Sequence, residues 1–545
     1  RRAAEWYRAH GLLAEAVEQA LDSRDQQFAA LLIAQAAGQA IRDGRLETLL
    51  HWFDRLPNDL VRAEQALSIY KGWGLWLRGD ADAAASYAQS AQRVLAPATT
   101  SPLPGRLLGL RACVSGPDGC KPGLVHEALA ALDGVDPLFH ALVLLQLAYQ
   151  QLGSSTMSDM IRVLQALAEL GQRGGARFIF GVTRSLLAQV HLARGERRAA
   201  LAVCQSALDE LADEAGQPVT GPLLIASGRV AYAANDQELA KQQLETGLAL
   251  VERLGYAPAR IEGRVALAWL QLASGQAAEA FATLAAARDI ARHMHLQSQL
   301  DELTCVEAMF QLRLGDSAAA EAALRSLALL PTTQEGIANH RCALSAKTYA
   351  RVLLAHEQPA EAREVLARTI QWERSVARDG DALTTAILLS LADQKLGDLP
   401  QAQATLAQAI GAAAREGAYR VFLDEGRTLA SLLPSVQQVA PSFVDELLSA
   451  FNDEFNSMEQ APAERQSFQT RVRPVTHGAP SEPLSDRERE ILRLIATGMP
   501  NAAVARVLII APGTVKKHLD HIYGKLGAHN RTAAVARARQ LDLLG

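Results

Sequence analysis

Residues 484–498 read LSDREREILRLIATG, residues 501–508 read NAAVARVL, and residues 513–526 read GTVKKHLDHIYGKL. Ser485 and Glu488 have the Ser-x-x-Glu spacing of a capping box, which predicts that a helix begins there. Gly498 interrupts the pattern, and Pro512 suits the first turn of a later helix because the N–H that proline lacks has no partner at that position. The segment 484–545 is therefore predicted to be a bundle of short helices.

Apolar residues recur in this segment at helical spacing and predict its core. They are Ile491, Leu492, Ile495, Val504, Leu508, Val515, Leu519, Ile522 and Leu526. The outward face of the third helix then carries Lys516, Lys517 and Asp520. Adjacent cations on the exposed face of a short helix after a tight turn favour insertion into the major groove of DNA.

Residues 484–544 resemble the LuxR-type helix-turn-helix. The resemblance is carried by Arg487, Glu488, Glu490, Leu492, Gly498, Asn501, Ala505, Leu508, Thr514, Val515, Lys516, His518, Lys525, Leu526, Gly527, Asn530, Arg531 and Thr532. It implies a four-helix DNA-binding domain whose candidate DNA contacts are Asn501, Thr514, Lys516, Lys517, Asp520, His521, Lys525 and Arg531. For Asp520 two interpretations stay open, since a carboxylate can accept a hydrogen bond from a cytosine amino group or repel phosphate.

The charge distribution fits a DNA-binding tail. Segment 484–545 contains ten Lys and Arg and five acids, a net charge of +5, whereas the whole chain carries −5. Residues 1–483 therefore carry −10. An acidic body with a basic tail indicates that the tail alone meets the phosphate backbone.

Composition limits the possible classes of protein. A hydrophobic content of 49% with 5% aromatic residues favours Ala/Leu-rich helices, so the fold class is predicted as all-α. No apolar stretch is long enough to span a membrane. The five cysteines contain no Cys-x-x-Cys pair and fit reduced thiols in the cytoplasm. We find no catalytic constellation and no metal site; His518 and His521 have no third ligand nearby in sequence. The chain is not expected to be an enzyme.

The body of the chain is an internal repeat of predicted helical hairpins. The turn within each hairpin is marked by Gly195, Asn235, Gly275, Gly315, Glu357 and Gly397, mostly forty residues apart, and upstream by Gly11, Gly44 and Gly79. Small residues follow each turn, among them Ala200, Ala240, Ala280, Ala320, Ala362 and Ala402. Glycine and asparagine tolerate the left-handed turn, and alanine lets two helices approach closely. The period predicts a tetratricopeptide-like helical-repeat superhelix with a concave surface.

Four segments follow from these patterns. Residues 1–59 form a helical segment that leads into the array, and residues 60–440 form the superhelical sensor. Within the sensor, residues 97–124 are rich in proline and glycine and are predicted to be an irregular connection. Residues 441–483 are the predicted linker, and residues 484–545 are the DNA-binding domain.

A second resemblance covers the body. The runs 414–417 (AREG) and 419–426 (YRVFLDEG) look like the end of the helical sensor in MalT-like regulators, and residues 2–7 (RAAEWY) resemble the segment that follows their nucleotide-binding part. The resemblance implies an upstream ATP-binding switch, an inducer bound by the superhelix, self-association on DNA and recruitment of RNA polymerase. Gly216 and Gly221 have phosphate-loop spacing, but Pro222-Leu223 follows, so no cofactor is expected here and ATP only in an upstream domain.

These observations predict a cytoplasmic transcription regulator, an activator, in which the helical repeats sense a small-molecule inducer or a regulatory protein. Tyr232, Trp269, Phe310 and Tyr349 recur on the first helices of successive units and are the candidate effector contacts. The alternative is a tetratricopeptide-type interaction scaffold whose tail does not bind DNA productively. Salt-dependent DNA binding by the tail separates the two.

Lys516 and Lys517 should contribute different kinds of binding energy, because adjacent helical residues point 100° apart. Lys516→Ala is expected to weaken binding to all DNA sequences alike and to lower the salt slope by about 1. Lys517→Ala should cost ~1–3 kcal/mol at the preferred base pair. Binding to a randomised operator library measures both. An unchanged base preference in Lys517→Ala would instead mean that Lys517 only pairs with Asp520.

Overall fold

The computed structural model describes two parts of the chain. The first is residues 1–459 apart from 24, 95–102, 115–121, 152–155, 174, 295, 328–336 and 338; the second is residues 486–496, 499, 504–505, 507–508, 515, 519 and 522. These parts belong to two compact units, Arg1–Pro462 and Ala463–Gly545. All regular structure in the described residues is helical, as the composition predicts.

The helices of the first unit follow one another as antiparallel neighbours. In chain order they are α1 Arg2–Ala9, α2 Leu13–Asp22, α3 Gln26–Arg42, α4 Leu46–Asp54, α5 Asn58–Ala63, α6 Gln65–Arg78, α7 Ala81–Arg93, α8 Leu103–Val114, α9 Pro122–Leu132, α10 Pro137–Gln151, α11 Met157–Arg173, α12 Arg177–Ala193, α13 Arg197–Glu210, α14 Gly221–Ala233, α15 Gln237–Leu254, α16 Ala257–Ala273, α17 Ala277–His293, α18 Gln297–Arg313, α19 Ser317–Arg325, α20 His340–Ala355, α21 Pro359–Ser375, α22 Asp379–Lys395, α23 Leu399–Glu416, α24 Arg420–Leu423, α25 Arg427–Ala430 and α26 Pro441–Glu459. Short 3₁₀ turns occur at Ala212–Glu214, Pro218–Thr220 and Leu433–Val439.

The turns within the hairpins lie where the sequence predicts them. All nine marker residues have positive φ, from 57° at Glu357 to 105° at Gly79. At Gly195 the N–H donates to the Leu192 carbonyl at 2.9 Å and the next N–H, of Glu196, donates to the His191 carbonyl at 2.8 Å. This pair of bonds is a Schellman motif, which satisfies carbonyls that the helix end leaves without partners. The same pair recurs at Asn235, Gly275, Gly315, Glu357 and Gly397.

The predicted small residues after the turns are fully buried. Ala200, Ala240, Ala280, Ala320, Ala362 and Ala402 all have 0% exposed surface. Several of the helices that carry them begin at an aspartate whose side chain accepts a backbone N–H, as Asp236 does from Leu239 at 3.1 Å. Sequence therefore fixes both the turn and the start of the next helix.

Successive turns of the superhelix touch each other, which the repeat pattern does not predict. The contacts join residues 185 to 221 positions apart in the sequence. The Met157 N–H donates to the Val376 carbonyl at 3.0 Å, and the Tyr419 N–H donates to the Ala233 carbonyl at 2.9 Å. Gly380 at the start of α22 lies against Gly195, with its Cα 3.2 Å from the position of a Cβ built on Gly195. Neighbouring turns of the superhelix are thus joined by backbone hydrogen bonds and by close backbone contacts.

Two of the expected segments differ from the structure. Residues 441–459 form α26, and Phe443, Val444, Leu447 and Phe451 are buried in the same core as α22 and α23, so the linker cannot begin at 441. The stretch 97–124 contains the regular helix α8. In both cases apolar residues at helical spacing outweigh proline and polar neighbours. Residues of α4 and α6 belong to one hydrophobic cluster, so the helices of 1–59 share a core with the helices that follow.

The close approach at Gly380 gives a stability test. A Cβ at this position would lie 2.5 Å from the Gly195 nitrogen, so Gly380→Ala must separate two backbone segments and should destabilise the protein by ~1–3 kcal/mol in urea unfolding. Gly411→Ala is the matched control, because its Cβ would meet only Val439 at 3.8 Å. That change should stabilise α23 by ~0.5–1 kcal/mol. Equal unfolding midpoints for the two variants would mean that the turns do not pack tightly here.

Candidate functional site

A cavity of 1340 Å³ lies inside the first unit. Its wall is formed by the inner faces of helices from α6 to α24, so that both superhelical turns contribute. Its lining includes apolar side chains such as Trp76 and Met294 and polar ones such as Glu262, Arg378 and Arg420. The volume is somewhat above the roughly 300–1,000 Å³ of a typical small-molecule site.

The centre of the cavity is polar. Gln189 Nε2 donates to Glu262 Oε2 at 2.7 Å, and Tyr149 is hydrogen-bonded to Tyr256. Arg229 also lines the cavity, and within the described part of the chain its guanidinium has neither a hydrogen bond nor an ion pair. A half-buried guanidinium without a partner can donate several hydrogen bonds to a bound molecule.

These polar residues occupy equivalent positions of successive repeats. Gln189, Arg229 and Trp269 are forty residues apart, and so are Glu262 and Glu302. All five line the cavity. The forty-residue period therefore aligns equivalent side chains of successive repeats in rows along the wall of the cavity.

The cavity environment disfavours charge on its carboxyl groups. Burial raises the pKa of Glu302 to about 7, and the positive charge of Arg341 opposes this rise only in part. Burial also raises the pKa of Glu262, against the effects of Arg229 and of the hydrogen bond from Gln189. Such carboxyl groups gain more from a hydrogen-bond donor or cation on a ligand than solvated ones do.

A second polar region lies where α14 meets the segment 419–426. The Tyr232 hydroxyl donates to Asp424 Oδ1 at 2.9 Å, and the Arg420 guanidinium lies 4.8 Å from the centre of the Tyr232 ring. Arg420 also donates to Asn235 Oδ1 at 3.2 Å. These contacts hold the end of the sensor against the preceding superhelical turn.

Two of the four predicted effector residues line the cavity. Tyr232 and Trp269 do so. Phe310 has no exposed surface and packs behind Trp269, with ring centroids 4.9 Å apart. Tyr349 lies among residues of the neighbouring cores and does not line the cavity. The structure therefore places two of the four predicted aromatic rings on the cavity wall, not all four.

The second unit is described in part. Helix α27, Asp486–Ala496, begins where the capping pattern predicts, and the described apolar stripe is buried: Ile491, Leu492, Ile495, Val504, Leu508, Val515, Leu519 and Ile522. Arg487 donates to the Leu508 carbonyl at 2.7 Å and so ties α27 to the following helical segment. All eight candidate DNA contacts, Asn501, Thr514, Lys516, Lys517, Asp520, His521, Lys525 and Arg531, lie outside the described residues.

Comparison with known families agrees with this architecture. The family described as the MalT-like TPR region matches residues 124–438, more than half of the chain. The chain belongs to the MalT-like family. Bacterial regulatory proteins of the luxR family match residues 482–538 of the same chain. This MalT-like protein is thus a transcription regulator with a LuxR-type DNA-binding domain, as the sequence predicts.

Two curated relatives are MalT proteins. The HTH-type transcriptional regulator MalT of Klebsiella pneumoniae (strain 342) is 29% identical over 202 residues, which cover 35% of this chain and 22% of that protein. The MalT of Klebsiella pneumoniae subsp. pneumoniae has the same identity and coverage. The match therefore spans only about a fifth of the length of these relatives.

Solved structures give a weaker likeness. A Rap protein complexed with competence and sporulation factor has a TM-score of 0.45 and 13% identity, and the match covers 66% of the MalT-like chain and 99% of the Rap chain. A Signal Transduction ATPase with Numerous Domains protein with a tetratricopeptide repeat sensor, from Pyrococcus horikoshii, has a TM-score of 0.36 and 11% identity, over 85% of this chain and 74% of its own. Neither likeness carries a functional conclusion.

The polar residues of the cavity were not predicted from the sequence. Gln189, Arg229, Glu262 and Glu302 lie within helices, where polar and charged residues are ordinarily assigned to the solvent face. The equal spacing of Glu262 and Glu302 is the signal that could have found them. Among the described residues no helix is long and apolar enough to span a bilayer, and no three His, Cys, Asp or Glu side chains are grouped as metal ligands.

The raised pKa of Glu302 predicts a pH-dependent stability. The folded protein holds this carboxyl neutral up to about pH 7, whereas the unfolded chain ionises it near pH ~4.3. Its contribution is therefore complete below the unfolded pKa and is lost as pH rises through 7. Compared with wild type, Glu302→Gln should gain on the order of 2–3 kcal/mol in urea unfolding between pH 5 and pH 8.

A nearby cavity residue that does not titrate provides the control for this experiment. Gln299→Ala, on the same helix, should follow the pH dependence of the wild type. A Glu302→Gln profile parallel to that of Gln299→Ala would show that Glu302 ionises as an ordinary glutamate.

Proposed function

We propose that this MalT-like regulator is a transcription activator whose effector binds in the cavity between the superhelical turns. The observation that carries the proposal is Arg229, a half-buried cation on the cavity wall that forms neither a hydrogen bond nor an ion pair in the described part of the chain. A guanidinium whose N–H groups have no hydrogen-bond acceptor in a partly desolvated cavity favours an occupant that completes its hydrogen bonds.

The position of the cavity between helices of both superhelical turns favours a small polar molecule as effector over a folded regulatory protein. The lining residues come from both superhelical turns, so an occupant bridges helices that are distant in sequence. Such a molecule would stabilise the contact between turns, because it binds the folded array and not the unfolded chain. A carboxylate or phosphate matches Arg229, and hydrogen-bond donors match Glu262 and Glu302.

Several further properties belong to the same proposal. The DNA-binding unit would act as a homo-oligomer on paired half-sites in the cytoplasm, and the activated protein would recruit RNA polymerase. ATP would have no role in residues 1–545. These proposals rest on the resemblance to MalT-like regulators together with the LuxR-type domain at residues 482–538.

A metabolite screen by thermal shift tests the effector site. A molecule present at about a hundred times its Kd should stabilise the wild-type chain by ~2.7 kcal/mol. Arg229→Ala should weaken that molecule by about tenfold or more, since hydrogen bonds to charged groups contribute ~1.5–3 kcal/mol. Arg253→Ala is the matched control, because Arg253 is exposed, does not line the cavity and also has no partner among the described residues.

The same effector must then act on DNA binding. In gel-shift titrations the 545-residue chain should bind operator DNA with a steep salt dependence, and the effector should change its affinity in wild type and Arg253→Ala but less in Arg229→Ala. An effector that shifts stability equally in all three proteins would bind elsewhere. A chain whose DNA binding ignores salt and effector would favour the interaction-scaffold alternative.

A further inference from the structure

Four charged residues, buried or partly buried, connect the cavity to helix α26. They are Arg313 of α18, Arg420 and Asp424 of the segment 419–426, and Glu454 of α26, and we call them the Arg420 cluster. Arg420 donates to Glu454 Oε2 at 3.0 Å and to Asp424 Oδ1 at 3.1 Å. Arg313 donates to Asp424 Oδ1 at 2.9 Å and also forms an ion pair with Glu454.

The cluster is balanced in charge, and three of its four side chains are nearly inaccessible to water. Side-chain exposure is 2% for Arg420, 8% for Arg313 and 6% for Glu454, whereas Asp424 is 23% exposed. Two cations face two anions, so each charge has opposite partners. Removing or replacing one partner would leave a buried charge uncompensated, which is strongly unfavourable.

The two sides of the cluster face different parts of the molecule. Arg420 and Asp424 line the cavity, as does Tyr232, which donates to Asp424. Glu454 does not line the cavity and belongs to α26, the helix that precedes residues 460–483. The cavity wall and the attachment of α26 therefore share one residue, Arg420.

The cavity wall near Arg420 carries further positive charge. Arg197 and Arg415 line it, and Arg415 is exposed without a hydrogen bond or ion pair in the described part of the chain. Glu416 is the acid beside them, but its carboxylate accepts the Arg198 backbone N–H at 2.9 Å. This end of the cavity therefore favours an anionic group.

Apart from this cluster, α26 is held mainly by its first three turns. Phe443, Val444, Leu447 and Phe451 pack in the core, and Glu446 accepts the Tyr419 hydroxyl. Among the described side chains Glu454 is the last point of attachment before residue 459. Loss of its partners would free the C-terminal part of α26 and leave the apolar anchor in place.

We infer that an anionic group bound at the Arg197–Arg415–Arg420 end of the cavity competes with Glu454 for Arg420 and thereby releases the end of α26. The carboxylate or phosphate of the ligand replaces the Glu454 carboxylate, and Glu454 moves into water. The inference rests on the proposed function of the cavity and adds to it the ligand chemistry and the residue that carries the response. Arg313 keeps Asp424 as a partner throughout.

Hydrogen exchange of the 545-residue chain tests the attachment itself. Glu454→Gln should make amides in the last turns of 441–459 exchange about tenfold faster or more, because the charge-assisted bonds are lost. Asp453→Asn is the matched control: it is the adjacent carboxylate on the same helix, it is exposed, and it has no side-chain partner in the described residues. Equal exchange in both variants overturns the inference.

Inorganic phosphate, compared with chloride at equal ionic strength, tests the competition. In wild type and in Asp453→Asn, phosphate should slow exchange in 399–416 and accelerate it in the last turns of 441–459. Arg415→Gln should reduce both effects severalfold, and Arg253→Gln should leave them unchanged. Because neither arginine forms a hydrogen bond or ion pair within the described parts of the chain, both variants are expected to keep the fold.

The outcomes separate this inference from the function proposed above. Protection of 399–416 with unchanged 441–459 would overturn the release of α26 while leaving the cavity as an effector site. No response of either segment to phosphate would overturn the anionic occupant. The metabolite screen with Arg229→Ala decides the effector site independently of both results.

Discussion

The rest of this structure depends on one backbone constraint, the left-handed residue that ends the first helix of each hairpin. At Gly195 and its equivalents this residue lets two consecutive N–H groups bond back to the helix, and the next helix begins at once. A fully buried alanine follows each of these turns, and its small side chain allows the paired helices to approach closely. Because a hairpin built in this way cannot bury its apolar faces alone, the units must stack, and stacking identical geometry produces a superhelix.

Contact between successive superhelical turns distinguishes the array from an open solenoid. Hydrogen bonds such as that from the Tyr419 N–H to the Ala233 carbonyl join neighbouring turns of the superhelix. Side chains that would face solvent on the concave surface of an open solenoid therefore line a cavity between the turns. Enclosure explains both the partial burial of Glu262 and Glu302 and the shift of their pKa values. The contact between turns also places the segment 419–426 against the end of α14. There the guanidinium of Arg420 donates both to Asn235, which follows α14, and to Glu454 of α26.

The sequence predicts those features whose causes are local. The positive-φ residues, the alanines after them and the apolar stripe of the tail are all readable because a turn or a helix face depends on neighbours within a few positions. The cavity was not predictable, because it depends on contacts between residues that are distant in sequence. Arg420 and Asn235, for example, are 185 positions apart, and no local sequence pattern indicates that they are in contact. The predicted start of the linker at residue 441 was wrong for a related reason: α26 packs against apolar residues of α22 and α23, which precede it in the chain. The periodicity of Phe310 and Tyr349 predicted that they contact the effector, but periodicity alone does not distinguish the wall of a cavity from a hydrophobic core.

The contact between turns also constrains how such a protein can evolve. An open solenoid tolerates the gain or loss of one unit, because each unit touches only its neighbours. Here, removal of one forty-residue unit between Gly195 and Gly380 would shift every later residue relative to the turn below it, and all the lateral contacts would lose their register at once. Changes in length should therefore concentrate in the connections, and duplication of a single repeat should be selected against in this part of the chain.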